Sequence, residues 1–128
     1  MSENLEALLE DRLFAHCLGA EPTHHLLNTG AFPDGWVDAY FTLLDEAARQ
    51  WNGKAALPRK VVVAVHFASW YLGFRYKAWK SLCKMLPNVA TEDALARIRM
   101  KSEQWLWGDL LREKQLPTGT EPFSASEQ

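Results

Sequence analysis

The stretch RKVVVAVHFASWYLGF, residues 59–74, determines the fold class of this chain. Its run of three valines at 61–63 has the β-branched side chains that favour a strand. A strand needs a partner, however, and no other segment alternates between apolar and polar residues with a period of two. Pro58 suits the start of a helix, because its fixed φ angle costs nothing there. The stretch is therefore predicted to be helical, as part of a helix that covers residues 59–85.

Three further segments repeat apolar residues every three or four positions, which is typical of helices. Their predicted bounds are 3–18, 34–52 and 91–114, with a short helical turn near 23–29. The expected N-caps are Thr23 for the turn, Asp34 for the 34–52 helix and Thr91 for the 91–114 helix. Their side-chain oxygens can accept hydrogen bonds from the free backbone N–H groups. The sequence predicts an all-α protein, a compact bundle of four main helices.

Length and composition are those of one globular domain. The chain has 128 residues, of which 48% are hydrophobic, and six tryptophans, which excludes a mainly disordered protein. We assign residues 1–116 to a single helical domain and expect the tail 117–128 to be disordered. No secretory leader is visible, and the most apolar stretch is too short to cross a bilayer. With only two cysteines, a cytoplasmic location and no contact with a membrane are expected.

Charge is segregated along the chain. Residues 1–46 contain nine acids and one base, whereas residues 47–91 contain eight bases and no acid. The segregation predicts internal pairing of the two segments, a charged partner, or both. A partner with a basic surface would meet acids of the 3–18 and 34–52 helices, namely Glu3, Glu6, Glu10, Asp38, Asp45 and Glu46. Such a surface speeds encounter more than it adds affinity.

The 59–85 helix is expected to have two different sides. The predicted core side consists of Phe67, Trp70, Tyr71, Phe74, Ala78, Leu82 and Met85. The other half carries Lys77, Lys80 and Lys84, together with Tyr76 and Trp79. Lysines attract phosphates or carboxylates, and uncovered rings offer contact area to a partner. Alternatively, the lysines are simply solvated and the two rings pack on loops.

The last helix has a second apolar face. Met100, Trp107 and Leu111 are separated by seven and four residues, so they lie together on a helix and apart from the stripe of Leu95 and Ile98. A helix with two apolar faces is either central to its bundle or half buried in a partner. In the second case, the face would also suit a homodimer.

No motif for catalysis or metal binding is present. The histidines and cysteines, His16, Cys17, His24, His25 and Cys83, lack the spacing of a zinc site. The chain has no phosphate-binding loop and no nucleophile elbow, and no carboxylate pair stands out as an acid–base couple. We therefore expect no catalysis, no cofactor and no metal ion.

The favoured hypothesis is a small non-catalytic cytoplasmic protein that occludes a charged surface of a macromolecular partner. Inhibitors, immunity or antitoxin-type proteins and adaptors act in this way. The aromatic and apolar anchors of such an interface would be Tyr76, Trp79, Met100 and Trp107.

Two other functions remain open. One is nucleic-acid binding through Lys77, Lys80 and Lys84, although a pI near 6.1 is far from the basic domains typical of that class. The other is a small-ligand protein or enzyme with an aromatic pocket between helices, built from Trp36, Tyr40, Trp70 and Tyr71.

Overall fold

The computed structural model describes residues 2–83 and 86–114, with side chains from Leu8 to Trp107 within those ranges. The helices, in chain order, are α1 (Ser2–Leu18), α2 (Ala20–Thr29), α3 (Trp36–Gln50), α4 (Arg59–His66), α5 (Leu72–Cys83) and α6 (Val89–Lys114). A π-helical turn at Phe67–Tyr71 joins α4 directly to α5. No strand occurs in these ranges, so the predicted all-α helical bundle is confirmed. The predicted tail 117–128 lies outside the described residues.

The second helix is longer than the turn predicted near 23–29. Gly19 is the N-cap of α2 and follows α1 without a loop. Pro22 lies in the first turn, where its missing N–H would have no intrahelical partner in any case. Thr23 is not a cap, since its hydroxyl donates to the carbonyl oxygen of Ala20 at 3.0 Å. Pro22 is compatible with a helix at this position, so α2 begins before the predicted turn.

The caps predicted for the later helices are also wrong. Helix α3 begins after Gly35, which has a φ of 77° and no side-chain capping bond. Helix α6 begins at Val89, and Asn88 caps it by accepting the N–H of Thr91 on its Oδ1 at 3.2 Å. Thr91 itself is buried, and its hydroxyl donates to the carbonyl oxygen of Gly30 at 2.8 Å. This bond ties the start of α6 to the end of α2.

The core draws side chains from all six helices. Fully or almost fully buried examples are Leu9, Leu13, Cys17, Leu26, Tyr40, Leu44, Ala47, Val61, Leu72 and Ile98. The hydroxyls of Tyr40 and Ser102 form a buried hydrogen bond of 2.6 Å between α3 and α6. Burial raises the pKa of Tyr40 well above its ordinary value, so this phenol is neutral.

Helix α4, the π-turn and α5 form one continuous rod, and its core face is not the predicted one. Trp70, Tyr71, Phe74 and Leu82 were expected in the core but are exposed. The rod instead buries Val61, Ala64, Val65, Ala68, Leu72, Tyr76 and Trp79. Met85, the last residue of the predicted face, is outside the described ranges.

The buried face of the rod follows regular helical spacing. Successive members of its buried set are three or four residues apart, namely Val61, Val65, Ala68, Leu72, Tyr76 and Trp79. At about 100° per residue these side chains stay within an arc of roughly 80° around the helix axis. Trp70 and Phe74 lie on the opposite side of the rod and remain exposed, and the π-turn at Phe67–Tyr71 does not bring them into the core.

Candidate functional site

Tyr76 and Trp79 were predicted to be exposed anchors, but only 2% and 7% of their surfaces are accessible. The Trp79 ring lies against Gly30, so closely that a Cβ at Gly30 would overlap it. The Tyr76 hydroxyl accepts the N–H of Asn88 at 2.8 Å and donates to Oε2 of Glu92 at 2.8 Å. Both rings thus hold α5 against neighbouring elements, and their prediction as exposed anchors is wrong.

The three predicted lysines do not form a uniform stripe. Lys77 is exposed and has no hydrogen-bond or ion-pair partner among the described side chains. Lys80 donates to Oε2 of Glu92 at 3.1 Å. The hydrogen bonds from Tyr76 and then from Lys80 lower the pKa of Glu92, so this carboxylate balances the charge of Lys80. Lys84 lies outside the described residues.

The acidic residues are partly used within the molecule. Glu46 pairs with Arg12 at 3.0 Å, and Asp45 lies 4.0 Å from Lys101. Asp38 is exposed without an ion partner in the described part of the chain, and Glu10 is half-buried. The side chains of Glu3 and Glu6 lie outside that part. The predicted acidic surface is therefore interrupted by bases wherever Asp45 and Glu46 contribute to it.

An exposed aromatic surface lies where a core was predicted. Trp70 is 50% exposed and Phe74 is 70% exposed, with Tyr71 between them in sequence also exposed. The centroids of the Tyr71 and Phe74 rings are 6.4 Å apart. We call Trp70, Tyr71 and Phe74 the aromatic face. Large rings that remain in contact with water are typical of interaction surfaces, because covering them releases a large apolar area.

A groove of about 530 Å³ runs beside the aromatic face, between the α4–α5 rod and α6. Trp70, Phe74, Lys77 and Lys80 line it from the rod, and Glu92 and Arg99 line it from α6. We call it the α5–α6 groove. The Arg99 guanidinium stacks on the Trp70 ring, 3.9 Å from its centroid, and its Nε donates to Glu103 at 3.4 Å. Trp and Arg side chains arranged in this way are enriched among the residues that dominate protein interfaces.

Phe74 was not predicted as a site residue, and Trp70 was predicted only as part of the alternative aromatic pocket, because both were assigned to the core. A signal for the correct face is present in the sequence, in the four-residue series from Ala64 to Tyr76. Its small alanines, Ala64 and Ala68, are buried where the rod packs on neighbouring helices. Local periodicity alone favoured the more strongly apolar face.

On the last helix, Met100 and Trp107 are 55% and 59% exposed. The interpretation of α6 as a helix surrounded by its own bundle is therefore wrong, since these side chains stay uncovered in one protomer. Leu111 lies outside the residues whose side chains are described. A homodimer through this face stays a prediction.

A second cavity, of about 1020 Å³, opens between α1 and α3 and is lined by Arg12, His16, Glu21, Asp34 and Trp36, among others. Its central rings are already engaged, because His16 and Trp36 stack with centroids 4.5 Å apart. Each ring also hydrogen-bonds the backbone oxygen of the other residue at 3.0 Å. The predicted aromatic pocket is wrong, because Trp36 lines this cavity whereas Trp70 lines the α5–α6 groove.

Neither cysteine is placed for obvious chemistry. Cys17 is buried, and burial raises the pKa of its thiol to about 12, so it is not a thiolate at neutral pH. Cys83 is exposed at the end of α5.

Within the described residues, no group of three or more His, Cys, Asp or Glu side chains is arranged to hold a metal ion. None of the helices in those ranges has the length and apolar character needed to cross a membrane.

No protein-family model matches the chain, and no curated protein or solved structure shows significant similarity to it.

Proposed function

We propose that this chain is a small non-catalytic binding module that covers a charged surface of a partner protein, as inhibitors, immunity proteins and adaptors do. Docking takes place through the aromatic face and the adjoining α5–α6 groove. The observation that carries the proposal is the exposure of Trp70 and Phe74, at 50% and 70%, beside the cationic side chains of Lys77 and Arg99. Rings supply the apolar contact area of an interface, and the charges around them select the partner.

The hydrogen bonds around the groove support binding over acid–base catalysis. Three titratable groups line the groove and form one cluster, because Tyr76 and Lys80 both donate hydrogen bonds to Glu92. Tyr76 additionally fixes the backbone of Asn88 at the start of α6. Groups that hold two helices together are poorly suited to move protons during a reaction, since their displacement would disturb the packing.

The test compares three full-length proteins as immobilised baits in an extract of the native cell. They are the wild type, the double variant Trp70→Ser/Phe74→Ser, and the matched control Trp107→Ser, which removes an exposed ring outside the groove. All three sites are at least half exposed, so we expect the variants to keep the wild-type circular dichroism spectrum and thermal midpoint.

The proposal expects at least one protein that the wild type and Trp107→Ser retain equally, and that the double variant loses by about tenfold or more. Equal retention by the double variant, or no retained protein at all, contradicts it. If Trp107→Ser alone fails to retain the protein, the docking surface lies on α6 instead.

A nucleic-acid function has one observation in its favour, the proximity of exposed rings to Lys77, Lys80 and Arg99. Bases stack on such rings and phosphates pair with such cations. Two of these cations, however, are already paired with Glu92 and Glu103. Binding of a labelled single strand that weakens steeply with salt, and that is lost in Lys77→Ala/Lys80→Ala/Lys84→Ala, would favour this function instead.

A further inference from the structure

The walls of the α5–α6 groove restrict what can fill it. Both walls are helices, whose main-chain N–H and C=O groups are bonded within the helix itself. The groove therefore offers a ligand side chains but no free strand edge. An extended peptide would find no main-chain partners there and would gain nothing from β-augmentation. A helical segment brings its own main-chain hydrogen bonds and needs only side-chain contacts.

The length of the groove suits a short helix. Its lining residues on the rod run from Ser69 to Lys80. At about 1.5 Å per residue this distance is about 16 Å, which equals roughly three helical turns. Trp70 and Phe74 are one turn apart within it, so two apolar side chains separated by one turn of the ligand helix can contact both rings.

The charge of the groove determines the polarity of its occupant. Lys77 follows Phe74 along α5 and has no partner in the described part of the chain. Arg99 faces Trp70 from α6 and is paired at 3.4 Å with Glu103, which does not line the groove. The one acid in the lining, Glu92, is matched by Lys80. The lining therefore holds three cations and one acid, and the charge that it presents beside the rings is net positive.

On these grounds, and resting on the proposed function, we infer that the α5–α6 groove binds an acidic amphipathic helix of a partner protein. Large apolar side chains, spaced three or four residues apart, cover the aromatic face. Carboxylates of the same helix approach Lys77 and Arg99. The exposed ion pairs select the ligand and orient it, while the rings supply most of the contact area.

The experiment uses a displayed library of random peptides of about sixteen residues, a length that allows more than three helical turns. The full-length chain is the bait, and peptides that also bind Trp70→Ser/Phe74→Ser are removed. We expect the remaining sequences to repeat apolar residues at helical spacing and to carry an excess of Asp and Glu. The best synthetic peptide should gain helical circular dichroism when it binds.

Charge is tested on both sides of the complex. Changing the acids of that peptide to amides should weaken binding by about fivefold or more, and Lys77→Glu in the protein should do the same. The matched control is Arg59→Glu, which makes the same change of charge at an exposed site outside the groove and should stay within about twofold.

The outcomes separate the two claims. Ring-dependent peptides that are neutral, basic or non-helical overturn the acidic-helix inference and leave the docking proposal standing. An oligonucleotide that binds more tightly than any selected peptide, with a loss in Lys77→Glu, also overturns the inference, in favour of nucleic acid. A library without ring-dependent binders overturns the inference, and the bait comparison described above then decides the docking proposal by itself.

Discussion

Gly30 shows how one residue fixes the arrangement of three helices. It ends α2 with a φ of 71°, a left-handed conformation that side chains rarely adopt. The Trp79 ring of α5 fills the space where a Cβ would be. The carbonyl oxygen of Gly30 accepts hydrogen bonds from the hydroxyl of Thr91 at 2.8 Å and from the side-chain amide of Asn88 at 3.2 Å. Glycine is required here both by the backbone angle and by the tryptophan.

We predict that Gly30→Ala destabilises the protein much more than Gly53→Ala. Gly53 has a φ of 77°, and nothing lies within 4 Å of the place that a Cβ would occupy. Gly53→Ala therefore measures the cost of the left-handed backbone angle alone, which is about 1–2 kcal/mol in free energy of unfolding. At Gly30 the overlap with Trp79 adds about 1–3 kcal/mol. Urea unfolding of both variants measures the difference, and equal losses would show that Trp79 does not pack on Gly30.

Among the elements, the rod of α4, π-turn and α5 shows what the sequence can and cannot reveal. The lack of a partner strand and the position of Pro58 correctly predicted that the valines at 61–63 are helical, which agrees with the bundle class. The buried side of the rod was also visible in the spacing, because Val61, Val65, Ala68, Leu72, Tyr76 and Trp79 are three or four residues apart. The opposite side carries more large apolar residues at similar spacing, and local spacing does not show which of two apolar sides faces the neighbouring helices.

The same limit explains the outcome for the candidate site. Met100 and Trp107 were correctly expected to lie apart from the stripe of Ile98, because α6 is regular along its described length. Tyr76 and Trp79 were placed outside the core because the more strongly aromatic side of the rod was taken as its core side. Trp70 and Phe74 were placed inside the core for the same reason. This choice of side exchanged the anchors and the core.

The joint between α5 and α6 predicts a pH dependence. Hydrogen bonds from Tyr76 and Lys80 lower the pKa of Glu92 below its ordinary value of 4.5. A carboxyl with a lowered folded pKa stabilises the protein above the unfolded pKa, and the contribution disappears as pH falls through the folded pKa. Glu92→Gln should therefore lower the urea midpoint at neutral pH, and the difference from wild type should shrink as the pH falls below 4.5 and through the lowered pKa of Glu92.

Tyr76→Phe provides the control for this prediction, because it removes the larger cause of the lowered pKa and keeps the ring. In that background, Glu92→Gln should change the neutral-pH midpoint less than it does in the wild type. If Glu92→Gln lowers the urea midpoint of the wild-type protein by the same amount at neutral and acidic pH, the carboxylate does not have this role.

For the molecule as a whole, the segregation of charge along the chain does not persist as two separate surfaces. Acids of the first 46 residues pair with bases of other segments, in Asp11–Lys60 at 2.7 Å and Asp45–Lys101 at 4.0 Å, and Glu46 pairs with Arg12 at 3.0 Å. These exposed pairs add little stability, although they join α1, α3, α4 and α6. Lys77, which has no ion partner in the described part of the chain, lies beside the exposed rings at the α5–α6 groove. The combination of uncovered apolar area and positive charge is the basis of the docking proposal.

Photo-crosslinking in the native cell tests whether a partner occupies this surface. The photoreactive residue p-benzoylphenylalanine replaces Phe74 in the full-length chain, and in separate proteins it replaces Trp107 or the exposed Val62. We predict that irradiation gives a covalent adduct with a partner protein from position 74 and none from position 62 or 107. An adduct from position 107 without one from position 74, or no adduct from position 74, would contradict docking through the aromatic face.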